Sequence, residues 1–153
     1  MGTHYKGTRE EIRALDAYIK LMRAAESVTA RLGRLLASAG LSVSQFGVME
    51  ALYHLGPMPQ CDLARKLLKS GGNITTVVDN IERRRLVRRE RAGEDRRFVT
   101  VHLSKEGRRL IAGFFPRHAR AIVCEMSALR HAELETLGRL CRSLGLKQKT
   151  GRG

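Results

Sequence analysis

The sequence predicts a mainly α-helical fold that contains one small antiparallel β hairpin. Apolar residues recur at helical spacing along most of the 153-residue chain. Strand-like alternation is limited to a short stretch near residues 86–103, where the apolar residues of the second half alternate as Val99, Val101 and Leu103. Glycine and proline separate these segments, so the boundaries between them can be predicted.

The charge of the chain is strongly positive. Lys and Arg number 29 against 15 Asp and Glu, which gives a formal net charge of +14. An excess of this size predicts attraction to a polyanion, with nucleic acid the first candidate and an acidic membrane surface the second. A basic but merely solvated surface is the alternative. The concentration of arginines between Arg83 and Arg97, on and beside the predicted hairpin, favours nucleic acid.

Several classes of protein are disfavoured by composition. No segment is long and apolar enough to cross a bilayer, and the N-terminus lacks the apolar stretch of a signal peptide, so we expect one cytoplasmic domain over residues 1–153. Cys61, Cys124 and Cys141 are widely spaced and odd in number, which argues against a disulfide framework. The histidines show no ligand spacing, so we expect neither a metal nor another cofactor. Nothing assembles a nucleophile with a base, so we do not expect an enzyme.

The first segment, residues 9–39, is predicted to be a helix with one apolar face. The apolar residues on this face are Ile12, Leu15, Ile19, Met22, Leu32, Leu35 and Leu36. A helix of about 30 residues is about 45 Å long. One small domain cannot cover such a length, so we expect a second subunit to cover the apolar face.

The second and third helices are bounded by clear signals. Ser42 is expected to cap the second helix, with Gln45 completing a capping box, and Gly56-Pro57 ends it. Pro59 suits the first position of a third helix, which is expected to run through Leu63, Ala64, Leu67 and Leu68.

A fourth helix is predicted from Asn73 to about Arg84, after the turn Ser70-Gly71-Gly72. Its inward face is apolar, and its outward face carries Asn73, Thr75, Thr76, Asp79 and Asn80. Thr and Asn are poor helix formers, and a surface helix normally uses Glu, Lys or Ala there. Short polar side chains are, however, what a helix needs to lie close to base edges in the major groove.

Two strands, residues 86–91 and 97–103, follow this helix and are joined by the hairpin tip 92–96. Helices followed by such a hairpin form a winged helix-turn-helix, which we place at residues 43–103 and interpret as a DNA reader. Ser104 is expected to cap a long helix that runs to about Leu129 and is kinked at Pro116, and a last helix is expected over residues 131–144.

The motifs LSVSQFGVMEAL, NITTVVDNIERRRLV and GEDRRFVTVHLSKEGRRL resemble those of the MarR (multiple antibiotic resistance) regulators, in order and spacing, over nearly the whole chain. This resemblance implies a winged helix-turn-helix flanked by long N- and C-terminal dimerisation helices, at residues 9–39 and 104–146. It also implies a homodimeric transcription regulator, in most cases a repressor. A two-fold dimer would bind double-stranded DNA at a pseudo-palindromic operator.

The resemblance also implies the residues that contact DNA. In the wing, Asp95, Arg96 and Arg97 match the family's Asp-x-Arg motif, with Arg97 entering the minor groove and Asp95 holding its guanidinium. The remaining positions expected to approach bases and phosphates are Ser70, Gly72, Asn73, Thr75, Thr76 and Arg91. The alternatives are an ordinary charged hairpin tip and a solvated helix face.

One residue departs from the family pattern. Arg85 stands between the fourth helix and the first wing strand, where the family usually has glycine. A left-handed backbone at this residue would cost about 1 kcal/mol. Either the helix ends differently, or the additional arginine is useful near a phosphate.

Members of the family often release DNA when a small aromatic, phenolic or quinone-like molecule enters the crevice between the dimerisation helices and the reader. The residues that could line this crevice are Tyr18, Met22, Phe46, Phe114, Phe115 and His118. Plain core packing is the alternative for each of them. Two further alternatives for the whole chain are a thiol-based redox-sensing repressor using Cys61, beside which Asp62 opposes thiolate formation, and a non-specific architectural DNA-binding protein.

Overall fold

The computed structural model describes residues 2–91 and 99–146. The described chain is mainly helical and has one small antiparallel sheet, which confirms the predicted fold class. In order, the elements are α1 (Arg9–Ala37), α2 (Val43–Leu55), β1 (Met58–Pro59), α3 (Gln60–Lys66), α4 (Gly71–Arg83), β2 (Val87–Arg91), β3 (Val99–Leu103), α5 (Lys105–Met126) and α6 (His131–Gly145).

The chain divides into two compact units, residues 1–118 and 119–153. The first unit contains the buried core, whose fully buried large side chains include Leu36, Met49, Leu52, Leu63, Ile74, Ile81 and Ile111. The described part of the second unit comprises the end of α5 and α6. None of the residues of α6 is buried, and Leu140 and Leu144 are exposed.

The starts of α2 and α5 follow the signals in the sequence. The Ser42 hydroxyl accepts a hydrogen bond from the Gln45 N–H at 3.1 Å, and the Gln45 side chain accepts one from the Ser42 N–H at 3.0 Å. The predicted capping box of α2 is therefore confirmed. Ser104 likewise caps α5, since its hydroxyl oxygen accepts from the Gly107 N–H at 2.9 Å.

The sheet has three strands in the order β1-β3-β2, all antiparallel. Strand β1 was not predicted from the sequence, because two residues carry no periodicity. Pro59 was expected at the first position of a helix, but it lies in β1 opposite Thr100, and α3 begins one residue later. A proline has no backbone N–H to donate and therefore suits an edge strand.

The turn between α3 and α4 differs from the expectation. The expectation that Leu68 continues the helix was wrong, because α3 ends at Lys66 and Leu68 is 92% exposed with a left-handed φ of 51°. The Lys69 N–H closes the helix on the Ala64 carbonyl at 2.9 Å. Helix α4 then begins at Gly71, two residues before the predicted start, because Ser70 is its N-cap.

Arg85 adopts the left-handed backbone conformation that the glycine of the family would adopt easily, with φ at 59°. The Leu86 N–H reaches back to the Ile81 carbonyl at 2.9 Å, and the Arg85 N–H reaches the Glu82 carbonyl at 2.8 Å. This is the six-to-one closure of a helix end, in which a left-handed residue follows the cap. The helix therefore ends in the left-handed turn that a glycine would adopt easily, and the chain accepts the strain of a non-glycine residue.

Helix α5 contains Pro116, as predicted, but ends at Met126 and not near Leu129. The Leu129 N–H donates to the Met126 carbonyl at 3.1 Å, so the intervening residues form a turn. At the start of α5, a Cβ placed on Gly107 would overlap the Leu86 carbonyl oxygen. Gly107 therefore allows α5 to pack directly against the backbone that leads into β2.

Candidate nucleic-acid interface

The N-terminal turn of α4 is fixed by Ser70. Its hydroxyl accepts a hydrogen bond from the Asn73 N–H at 3.2 Å, and Ser70, Gly72 and Asn73 are all exposed. No described atom lies within 4 Å of the position that a Cβ on Gly72 would take. Internal packing therefore gives no reason for glycine there, whereas the approach of an external backbone would give one.

The next turn of α4 presents two adjacent threonines. The Thr75 hydroxyl donates to the Gly71 carbonyl at 2.9 Å, and the Thr76 hydroxyl donates to the Gly72 carbonyl at 3.2 Å. Thr75 also accepts a hydrogen bond from the Gln60 side-chain amide at 2.9 Å. Both threonines are exposed, so the structure brings them together on one surface with Ser70, Gly72 and Asn73.

Arg89 of β2 fixes the first wing strand to α4. Its Nη1 lies 2.7 Å from Asp79 Oδ1 and 2.7 Å from Glu82 Oε2. Its Nε donates to Gln60 Oε1 at 3.0 Å, and its Nη2 reaches the Thr75 carbonyl at 3.4 Å. The side chain is only 21% exposed. One guanidinium therefore joins β2, α3 and α4.

Sequence reasoning did not single out Arg89, although a signal was present. Arg89 follows the buried Val87 by two positions, so both side chains lie on the inward face of β2. A charged residue on an inward strand face needs a partner. Asp79 and Glu82, spaced three apart on α4, are two acids within an otherwise basic stretch and were available as that partner.

Three further arginines near α4 and β2, Arg84, Arg88 and Arg91, are exposed. Arg84 donates to the Gly40 carbonyl at 2.6 Å, and Arg88 pairs with Glu90 at 2.8 Å. Arg91 is exposed at the end of β2, opposite Val99. The predicted wing residues Asp95, Arg96 and Arg97 lie outside the described residues.

A cavity of about 440 Å³ lies in the first unit, beside the reader. Its wall is formed by Thr29, Leu32, Leu36, Val43, Ser44, Phe46, Gly47, Glu50, Leu67, Lys69 and His118. Most of its exposed wall is apolar. The cavity therefore combines aromatic and aliphatic surface with a few polar side chains, as small-molecule sites do.

Of the six residues predicted to line a crevice, some lie on the wall of this cavity and others lie elsewhere. Phe46 and His118 line the cavity, and Phe114 packs edge-on to Phe46 with ring centroids 6.0 Å apart. Phe115 contacts the ring of His54, with centroids 4.7 Å apart. Tyr18 and Met22 are exposed residues of α1 and do not belong to this cavity.

His118 is the buried polar residue of the cavity wall. Its ring centroid lies 4.3 Å from that of Phe46, and its side chain is buried. Burial lowers the pKa of His118, and the carboxylate of Glu50 acts in the opposite direction. Within the described part of the chain, His118 Nδ1 has no hydrogen-bond partner. The cavity wall therefore contains an imidazole whose neutral form is favoured by burial and whose Nδ1 has no partner among the described residues.

Other kinds of site have little support in the described ranges 2–91 and 99–146. No group of three or more His, Cys, Asp or Glu side chains there could hold a metal ion, and none of the helices is apolar enough over sufficient length to cross a membrane. Cys61, Cys124 and Cys141 are exposed and free.

Known proteins with similar sequences and folds are regulators. A sequence model of the MarR family matches residues 39–97. The HTH-type transcriptional regulator MhqR of Bacillus subtilis (strain 168) is 32% identical over 137 residues, which are 90% of this chain and 94% of MhqR. The solved structure of Sco3205, a MarR family transcriptional regulator from Streptomyces coelicolor in complex with DNA, matches with a TM-score of 0.82 at 21% identity over 97% of this chain and 95% of that chain. BpsR of Bordetella bronchiseptica, whose DNA binding is regulated by 6-hydroxynicotinic acid, matches with a TM-score of 0.79 at 23% identity over 84% of this chain and 98% of that chain.

Proposed function

The chain belongs to the MarR family of transcription regulators and is not an enzyme, and on this premise we propose that it is a dimeric, sequence-specific DNA-binding repressor released by a small aromatic or phenolic ligand. The observation that carries the proposal is the exposed polar surface of α4, held against the wing by Arg89. A helix built in this way is suited to the major groove.

The contacts with DNA divide between two grooves. Ser70, Gly72, Asn73, Thr75 and Thr76 approach the major groove, where the N-terminus of α4 also favours phosphate. Arg91 lies on the wing strand that leads toward the minor groove. In the tip that follows, the resemblance assigns minor-groove insertion to Arg97, whose guanidinium Asp95 would hold. Arg96 lies between them in the same motif and is proposed as a further DNA contact.

Dimerisation is supported by two exposed apolar surfaces. Helix α1 exposes Ile12, Leu15, Tyr18, Leu21 and Met22, and α6 exposes Leu140 and Leu144. A lone chain would leave these side chains in water, which is unfavourable for a contiguous apolar stripe. Residues 9–39 and 104–146 are therefore proposed as the dimerisation helices. A two-fold dimer places two α4 helices on half-sites about one helical turn apart.

Release by a ligand is supported by the position of the cavity. Leu67 and Lys69 belong to its wall, and Lys69 immediately precedes Ser70, the N-cap of α4. A molecule that displaces this wall would move the turn from which α4 begins. The aromatic surface of Phe46 and His118 suits an aromatic ring, and the structural neighbour BpsR responds to a hydroxylated aromatic acid.

Footprinting on the DNA upstream of the protein's own gene tests the proposal. The expected result is a protected site with two half-sites about one helical turn apart. Addition of 6-hydroxynicotinic acid, or of a simple phenol or quinone from a panel, is expected to remove the protection for at least one compound and to raise transcription from that promoter in vitro. Absence of any protected site would contradict the DNA-binding proposal, and protection that persists with every compound would contradict the ligand.

A further inference from the structure

The hydroxyl group of Thr75 is largely used inside the protein, although the residue is exposed. Its hydrogen is donated to the Gly71 carbonyl at 2.9 Å, and its oxygen accepts from Gln60 Nε2 at 2.9 Å. A threonine hydroxyl has one hydrogen to donate and two lone pairs. The donor and one of the two acceptor positions are therefore occupied, which leaves one lone pair and the methyl group of Thr75 for an external contact.

The orientation of Gln60 is set by Arg89. Arg89 Nε donates to Gln60 Oε1 at 3.0 Å, so the amide oxygen must face the guanidinium. A flipped amide would place its NH2 group against the guanidinium, donor against donor. Asp79 and Glu82 hold Arg89 in turn, each at 2.7 Å. The Gln60 NH2 group is thereby directed to Thr75 by a chain of charged and polar contacts.

Thr76 differs from Thr75 in one respect. Its hydroxyl also donates to a carbonyl one turn earlier, that of Gly72, at 3.2 Å. In the described part of the chain no residue plays for Thr76 the role that Gln60 plays for Thr75. The oxygen of Thr76 therefore keeps its capacity to accept hydrogen bonds from an external donor.

We propose that these adjacent threonines recognise different chemical groups of bases in the major groove, one an apolar methyl group and the other a hydrogen-bond donor. Thr75 contacts the C5 methyl group of a thymine through its own methyl group, and Thr76 accepts a hydrogen bond from the exocyclic amino group of an adenine or a cytosine. Gln60 is the positioning residue, because its contact leaves the Thr75 hydroxyl with one lone pair while the Thr76 hydroxyl keeps two. The inference rests on the proposed placement of α4 in the major groove.

Selection of binding sites from a random duplex library tests the inference, with the wild type compared with single variants at each threonine. Thr75→Val keeps a methyl group and is expected to select the same thymine, whereas Thr75→Ser is expected to lose about fourfold in affinity for it, the effect of one buried methyl group. At Thr76 we expect the serine variant, and not the valine variant, to keep the base preference. Thr76→Ser is expected to retain its adenine or cytosine, and Thr76→Val is expected to lose about tenfold in affinity by leaving the amino group without an acceptor.

The Gln60→Ala variant tests the positioning role of Gln60. It frees the Thr75 hydroxyl and is expected to relax the thymine preference at one base pair, while the preference read by Thr76 stays as in the wild type. The melting temperature is expected to fall slightly, because Arg89 loses one hydrogen-bond acceptor, and a change in stability alone would not alter the preference at a single base pair. Cys61→Ser, beside it on exposed surface, is the matched control and is expected to select the wild-type site.

Two results would overturn the inference, and a third concerns the proposed function. Loss of the thymine in Thr75→Val with its retention in Thr75→Ser would show that the hydroxyl reads the base. An unchanged site in Gln60→Ala would remove the positioning role. If the wild type selects no common sequence, the proposed sequence-specific function fails, and the inference fails with it.

Discussion

The guanidinium Nη1 of Arg89 in β2 lies 2.7 Å from the carboxylate Oε2 of Glu82 in α4, and the Arg89 backbone N–H donates to the other oxygen of the same carboxylate at 2.8 Å. The two residues are thus joined through both side chain and backbone. This pair fixes the first strand of the wing to the helix proposed to read bases. The wing and α4 are therefore expected to act as one rigid reader.

The first prediction concerns this pair. Arg89→Met is expected to lower the free energy of unfolding by about 1–2 kcal/mol, because the carboxylates of Asp79 and Glu82 lose their partner while remaining partly hydrated. Arg88→Met is the matched control in the same strand. Arg88 is 58% exposed and pairs only at the surface with Glu90, so its loss is expected to cost less than about 1 kcal/mol. Urea unfolding measures both.

If Arg89→Met and Arg88→Met lowered the free energy of unfolding by the same amount, the proposed role of Arg89 in fixing β2 to α4 would be contradicted. A second readout is the affinity for DNA. Each variant loses one positive charge and is expected to bind random DNA somewhat less well, but only Arg89→Met is expected to lose preference for a selected site.

The second prediction concerns the left-handed residue at the end of α4. Arg85→Gly is expected to raise the free energy of unfolding by up to about 1 kcal/mol, because φ at 59° is costly for a residue with a Cβ. Arg83→Gly, at the last residue of α4, is the control and is expected to lower it by up to about 1 kcal/mol. Chemical denaturation distinguishes the two signs.

The same variant tests why an arginine occupies this position. If Arg85 contacts a phosphate, Arg85→Gly is expected to weaken binding of all DNA sequences and to reduce the slope of the logarithm of affinity against the logarithm of salt concentration by about one. A slope equal to that of the wild type would exclude the phosphate contact.

The helix boundaries that the sequence predicted correctly were those that depend on one local signal. Ser42 with Gln45, and Ser104, form their caps where predicted, because a cap depends only on residues three positions apart. Strand β1 could not be predicted, since Met58 and Pro59 become a strand only by pairing with β3. Leu68 was misplaced for a similar reason, because its apolar side chain suggested a helix face while the backbone there turns.

The candidate site itself stays a prediction, but part of its geometry followed from the sequence. Asn73, Thr75 and Thr76 of α4 are together and exposed, as expected from their spacing along one helix, whereas Asp79 and Asn80 are half-buried. Arg89 and Gln60 were not foreseen, because their contacts connect residues 7 to 29 positions apart and only the folded chain brings them together. Tyr18 and Met22 are exposed on α1 and do not line the cavity, and whether they line a crevice beside a second subunit stays a prediction.

The third prediction concerns acidity and His118. Burial holds its pKa below the ordinary value of 6.5, so on acidification the unfolded chain binds a proton before the folded chain does. The contribution of His118 to stability is therefore complete above about pH 6.5 and is lost as pH falls below it.

His118→Phe is expected to reduce this loss of stability on acidification, which is measured as the fall in the urea midpoint from pH 7.5 to pH 5.5. His4→Gln, at an exposed position, is the control for removal of a histidine. The same pH dependence in the wild type and His118→Phe would show that burial of His118 does not contribute to it.

Competition between a selected duplex and a random duplex of equal length, over a series of salt concentrations, tests the central claim most directly. A repressor that reads bases through α4 is expected to prefer the selected duplex by about 1,000-fold or more near physiological salt, and to keep a preference as salt weakens the phosphate contacts shared by both duplexes. Equal affinity for the two duplexes at every salt concentration would contradict the account and would leave a protein that coats DNA through its charge of +14 alone.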